Sequence, residues 1–278
     1  MEGTLTQDAG RYVLRIERRL AHPPARVWRA LVTPAELSRW FPADLTGDLQ
    51  PGGKLTFTFR EEEAPPSDGT VVAFEPERLF EFRWEEDVLR WELTPIGDGC
   101  LLTLTHTFDD GPGAASFATG WVACLDVLAA SLAGEPTDEP SKGWVAATHD
   151  RYVEAFGLRE GVTESTGTGW QVRFVRQLTK PPADVWTQLS GPDRAVREGA
   201  LLDGLPPARD AETDEPASLR YGWGDDPNAT VGWELAPGPG GARAVLTVAG
   251  PTTSDVAAEQ AYRAARDRLD TLAAQLRG

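Results

Sequence analysis

The segment Leu14 to Pro34, LRIERRLAHPPARVWRALVTP, returns 158 residues later as Val172 to Pro192, VRFVRQLTKPPADVWTQLSGP, with ten of the twenty-one positions identical. Both copies keep the Pro-Pro pair, the Val-Trp pair and an Arg-x-x-Arg spacing. A repeat at this offset is far too long for a stacked solenoid, so each copy must close its own core. The chain of 278 residues is long enough for two such domains.

Periodicity gives the order of elements in the first copy. From Tyr12 to Leu20, apolar Tyr12, Leu14, Ile16 and Leu20 alternate with outward residues, the two-residue period of a half-buried strand. Pro23-Pro24 ends that strand and presets a helix start, with Val27, Trp28, Leu31 and Val32 at helical spacing. Pro34 opens a second short helix that carries Leu37, Trp40 and Phe41. Segments 54–60, 69–75, 79–84, 88–94 and 100–108 are rich in β-branched and aromatic residues and separated by Gly, Pro and Asp turn signals, which predicts an antiparallel meander. After Gly111-Pro112-Gly113 the period changes to about 3.6, with Phe117, Trp121, Cys124, Leu125, Leu128 and Leu132 in one stripe of a long helix. A further helix over 142–156 is expected to extend or double it, and the polar run 159–169 reads as a linker. The second copy begins near Trp170 and ends in a helix over 254–276, with Ser254 as its expected N-cap.

Strand, two small helices, meander and long helix make an α+β order. On Arg18, the Pro-x-x-Val-Trp-x-x-Leu run ending at Leu31, Thr33-Pro34, Trp40-Phe41, Pro51-Gly52-Gly53, Glu75-Pro76 with Leu79, Thr103 to His106, and Gly120-Trp121 with Leu125, the first copy resembles the helix-grip (START-like, SRPBCC) superfamily. More narrowly, it resembles proteins similar to the C-terminal domain of the activator of Hsp90 ATPase. The resemblance implies two tandem helix-grip domains, each a curved antiparallel sheet wrapped around a long C-terminal helix, at 1–158 and 170–278 with the linker 159–169 between. The second copy lacks counterparts of Trp40-Phe41, Pro-Gly-Gly and Gly120-Trp121, and carries a polar Asp203 to Pro216 segment instead. It is expected to be degenerate, and either packs against the first copy, caps its cavity or stands as an independent domain.

A helix-grip fold implies a space between sheet and long helix that opens near the small helices. Such spaces are mostly apolar, with a few polar groups that orient a ligand. The candidate lining is Trp40, Phe57, Phe59, Phe82, Trp84, Trp91, Trp121 and Leu125, side chains that would equally serve as solid core. His106 shares the parity of Leu102 and Leu104 and is either an inward polar group, a general base or a structural histidine. Arg18 and its equivalent Arg176 share the inward parity of their strands. Each would emerge to solvent, form an internal ion pair or anchor an anionic head group.

The rest of the chain narrows the chemistry. Lys and Arg number 27 against 43 Asp and Glu, a net −16 with no basic cluster, which opposes nucleic acid and anionic membranes. The first ten residues lack the basic and apolar regions of a leader and no run of about 18 apolar residues is evident, so the expected location is the cytoplasm. Cys100 and Cys124 form no CxxC pair, the three histidines have no metal-ligand spacing, and there is no Gly-x-Ser-x-Gly elbow or phosphate loop. No metal and no cofactor are expected. Three function classes follow: a non-catalytic binder of a small hydrophobic molecule, a co-chaperone-like module that docks on an Hsp90-type ATPase, and an enzyme resembling the polyketide aromatase/cyclases.

Overall fold

The computed structural model describes residues 3–60, 65–189, 200–252 and 256–277. The chain divides into two compact units, Met1–Val145 and Ala146–Gly278. The first contains β1 (Gly3–Asp8), β2 (Arg11–Leu20), α1 (Pro24–Val32), α2 (Pro34–Leu37), β3 (Ala43–Gly47), β4 (Lys54–Phe59), β5 (Ser67–Glu75), β6 (Leu79–Trp84), β7 (Asp87–Ile96), β8 (Gly99–Phe108) and α3 (Ala114–Ala133). All strands are antiparallel, in the order β1-β2-β8-β7-β6-β5-β4-β3.

Local chemistry sets the breaks that shape this unit. Pro24 starts α1, where its missing N–H is no loss, and the extended Thr33 (φ −88°, ψ 117°) before Pro34 separates α1 from α2. Gly52 has φ +82°, a left-handed turn between β3 and β4. A Cβ on the next residue, Gly53, would lie 1.9 Å from the Asp48 carbonyl oxygen, so the Pro-Gly-Gly motif needs one glycine for its angle and the other for space. Gly134 (φ +74°) caps α3 by donating its N–H to the last-turn carbonyls.

The α3 helix packs against β2 and buries Trp121, Val122, Leu125, Leu128 and Leu132. With the turn before it, Gly111–Ala133 has the length and mean hydropathy (1.5) of a membrane span, contrary to the expectation that no such run exists. Its Leu125 and Leu128 are fully buried.

The second unit holds most of α4 (Lys142–Ala155), then β9 (Val162–Ser165), β10 (Gly169–Leu178), α5 (Pro182–Leu189), β11 (Ala208–Asp214), β12 (Ser218–Trp223), β13 (Thr230–Gly238), β14 (Gly241–Pro251) and α6 (Ala258–Gln275). Two expectations change here. From Ala146 onward α4 belongs with the second unit rather than the first, and the expected linker 159–169 contains β9, paired with β10 from Trp170↔Ser165 to Arg173↔Val162. The α6 helix starts at Ala258 without a side-chain cap, and Ser254 lies outside the described residues.

Among the described residues the second sheet runs β9-β10-β14-β13-β12-β11, the order of the first sheet without β3 and β4. Registers correspond pair for pair. Tyr12↔Phe108 in β2/β8 becomes Trp170↔Gly250 in β10/β14, and Trp91↔Leu104 in β7/β8 becomes Trp233↔Leu246 in β13/β14. Each unit is an α+β helix-grip domain whose long C-terminal helix packs on the strand that opens the repeat.

Candidate functional site

Inside the first unit the aromatic residues expected to line a cavity meet one another instead. Phe57, Phe82 and Trp91 are at most 1% exposed. The Phe57 ring stacks on Trp84 at 4.3 Å, Phe59 on Trp84 at 5.7 Å, and Trp91 meets Trp40 and Trp121 edge-on at 5.5 and 5.6 Å. Indole N–H groups are satisfied locally: Trp40 Nε1 donates to the Ala30 carbonyl (2.9 Å) and Trp84 Nε1 to Ser67 Oγ (2.7 Å). The enclosed space left among Leu31, Leu37, Trp40, Phe41, Leu45, Phe80, Phe82 and Trp91 is about 10 Å³, room for about one water. The open interior expected of this fold is therefore filled by side chains.

The side chain that fills it is Phe41, in the short bend between α2 and β3. Its ring lies 5.6 to 6.5 Å from those of Trp40, Phe57, Phe82, Trp84 and Trp121, and the residue is 2% exposed. Its backbone is tied at both ends: Phe41 N–H donates to Leu37 O (2.9 Å), and Phe41 O accepts from Arg60 Nη2 (2.6 Å). Arg60 Nη1 in turn pairs with Asp44 at 2.7 Å.

His106 is 3% exposed, between Trp121 and Asp87. An indole N–H can only donate, so the Trp121 Nε1 contact to Nδ1 (3.2 Å) makes Nδ1 the acceptor. The proton of the neutral ring then sits on Nε2 and donates to Asp87 Oδ2 at 2.8 Å. Both nitrogens are thus engaged, and the imidazole is a structural bridge that fixes the Trp121 indole rather than a free base. Arg18 Nη1 forms an ion pair with Asp126 of α3 at 2.6 Å, which ties strand to helix, and Leu125 is fully buried beside it.

Open volume lies at the mouth of the unit. A cleft of about 520 Å³ is bounded by Arg39 to Pro42 of the α2–β3 bend, Phe59 and Arg60 at the end of β4, Ala123, Cys124 and Val127 on α3, and 137–140 after α3. A second trough of about 340 Å³ shares Ala123, Val127, Thr137, Asp138 and Pro140 with it and continues along α3 to Trp144. Burial pushes the Cys124 thiol up to about 12, so it stays protonated and offers the cleft a small apolar surface rather than a nucleophile. Of the ten residues expected in the site, Trp40 and Phe59 line this cleft. Phe57, Trp84 and Trp121 pack around Phe41, Phe82 and Trp91 line the residual void, and Leu125, His106 and Arg18 hold the framework. Phe41, Arg60 and Val127 were missed. The Trp40-Phe41 pair was the one signal of the first, but period alone does not say which of two adjacent aromatics turns inward.

The open volume of the second unit, about 470 Å³, is a trough along α6 lined by Asp203, Glu259, Gln260, Arg263, Asp267, Arg268 and Thr271 with Ala257 and Ala264, and it has no aromatic wall. Tyr221 Oη and Trp233 Nε1 both donate to the Ala200 carbonyl, at 3.0 and 3.1 Å, which pins the core closed. Arg176, 4% exposed, pairs with Asp270 at 3.1 Å. His149, also 4% exposed, borders a void of about 10 Å³ with Asp150, Arg176 and Arg277, and burial holds its pKa down at about 4. Among the described residues no three His, Cys, Asp or Glu gather as a metal site.

The strand order with a long C-terminal helix defines a helix-grip fold. Within that class, residues 21–133 match the family of activator of Hsp90 ATPase homolog 1-like proteins, a span that runs from the end of β2 to the end of α3. No curated protein matches the chain in sequence. Among solved structures, CalU16 from Micromonospora echinospora is 24% identical (TM-score 0.47), covering 56% of this chain and 97% of its own. DynU16, described as a putative protein in the dynemicin biosynthetic locus, is 18% identical (TM-score 0.44) and covers 96% of this chain and 99% of its own. A conserved protein of unknown function from Enterococcus faecalis is 15% identical (TM-score 0.49), covering 56% and 91%.

Proposed function

We propose that the chain is a non-catalytic binder of a small hydrophobic molecule, which enters the first unit at the cleft beside Trp40, Phe59 and Val127. The observation that carries this reading is the cleft itself: about 520 Å³, within the roughly 300–1,000 Å³ of small-molecule sites, lined by Trp40, Phe41, Phe59 and Val127 together with the charged Arg39, Arg60, Asp138 and Glu139. One further feature supports it: the Cys124 thiol that borders the cleft is held protonated by burial, so it offers a surface rather than a nucleophile. The open trough of the second unit is lined mainly by charged and polar side chains, so the hydrophobic molecule is assigned to the first unit.

Titration with the neutral apolar fluorophore N-phenyl-1-naphthylamine tests this. The wild-type chain is expected to enhance its emission saturably at one site, and Val127→Trp, which fills the floor of the cleft, is expected to abolish the effect. No enhancement, or enhancement unchanged by Val127→Trp, overturns the reading.

A further inference from the structure

We propose that Phe41 is a built-in occupant of the binding interior, latched by Arg60, and that the ligand which displaces it is an aromatic molecule carrying an anionic group. The inference rests on the hydrophobic-binder reading and adds the ligand class and the means of entry.

Three observations combine. First, the Phe41 ring packs against Trp84, Phe57, Phe82 and Trp121, and the space left beside it is about 10 Å³. Second, Trp40 and Phe41 line both this residual void and the outer cleft, so the Phe41 side chain is the partition between them. Third, the bend that carries Phe41 is neither helix nor strand, and its carbonyl is held by Arg60 Nη2 at 2.6 Å. That latch itself lines the cleft.

The chemistry of the latch selects the ligand. Arg60 divides its fork between a carbonyl and the half-exposed Asp44 carboxylate. A guanidinium binds an anion more strongly than a neutral carbonyl, and does so through two parallel N–H groups. A carboxylate or sulfonate that arrives in the cleft therefore draws Arg60 from Phe41 O and frees the bend. The aromatic body of the same molecule then takes the space that the ring leaves, since an emptied apolar cavity stays dry and accepts flat hydrocarbons. The sequence of the second unit has no counterpart of Trp40-Phe41, and among the described residues its sheet has no counterpart of β3 and β4.

The test compares two probes that differ in charge, 1-anilinonaphthalene-8-sulfonate and the neutral N-phenyl-1-naphthylamine, on the full chain. The wild type is expected to bind the sulfonate at least about tenfold more tightly, the scale of one hydrogen bond to a charged group. Arg60→Gln, at a partly exposed position, is expected to erase that preference while binding the neutral probe more tightly than wild type. Phe41→Leu is expected to tighten the neutral probe roughly tenfold, with far-ultraviolet circular dichroism confirming that it folds. If both variants keep wild-type affinities while Val127→Trp still abolishes binding, Phe41 is ordinary core and the proposal falls, although the binder reading stands. If no form binds either probe, the binder reading falls and takes the proposal with it.

Discussion

Replacing His106 with leucine isolates the part of the framework that sets the Trp121 indole. The side chain is 3% exposed, and the substitution leaves Trp121 Nε1–H buried without its acceptor while also removing the bond to Asp87, whose carboxylate is one-third exposed. An orphaned buried donor costs about 1–3 kcal/mol, and loss of the part-exposed bond about 0.5–1.5 kcal/mol. The expected loss is about 3 kcal/mol in the first unit, or roughly a hundredfold in local opening. In a Trp121→Phe background the orphan does not arise, so the same replacement should cost about 1–2 kcal/mol less there. Hydrogen-exchange mass spectrometry of β8 and α3 peptides reads this directly, without requiring the two units to unfold together. A loss under about 0.5 kcal/mol in the single variant, or strict additivity in the pair, refutes the bridge and returns His106 to the set of free polar groups.

Other outcomes follow from single contacts. Gly52→Ala should cost about 1–2 kcal/mol for its left-handed backbone, whereas Gly53→Ala, whose Cβ meets the Asp48 carbonyl at 1.9 Å, should cost clearly more. Equal urea midpoints for the two would contradict that division of labour. His149 titrates near 4 in the folded chain against 6.5 when unfolded, so the unfolded state binds its proton first as pH falls. Its stability contribution is whole above pH 6.5 and declines towards pH 4, by about 3 kcal/mol in full. His149→Leu should flatten that decline in the second unit, and parallel curves of midpoint against pH would rule the explanation out. Tyr221→Phe should cost about 1 kcal/mol or less, because Trp233 still donates to Ala200 O, but about 1–3 kcal/mol in a Trp233→Phe background, where that buried carbonyl loses both partners. Identical costs in the two backgrounds would show that the carbonyl is satisfied elsewhere.

The sequence made the architecture legible because the period switches are strong and the repeat keeps ten of twenty-one positions at its start. Leu14, Ile16 and Arg18 gave the inward parity of β2, and Val172, Phe174 and Arg176 gave that of β10. The structure keeps both, down to the registers with β8 and β14. The partners of those two arginines, Asp126 and Asp270, lie 108 and 94 residues away, beyond the reach of any local pattern. Strands β1, β3 and β9 escaped notice because GTLTQD, ADLTG and VTES are short or largely exposed, so no apolar alternation marks them. The site was legible only as a set of aromatic residues. Whether such a set encloses space depends on how closely strands and helix approach, and here one more ring, Phe41, closes the gap. The boundary near Val145 was likewise hidden, since the apolar positions of α4 do not reveal which core they join.

Native mass spectrometry of the chain purified from its own host, beside gently denatured protein, tests the central claim most directly. The account predicts one defined small-molecule adduct per chain, released on denaturation, absent from Val127→Trp and kept by variants of the second unit such as Tyr221→Phe. Bare chain alone in the wild type, or an adduct that survives Val127→Trp, would contradict it.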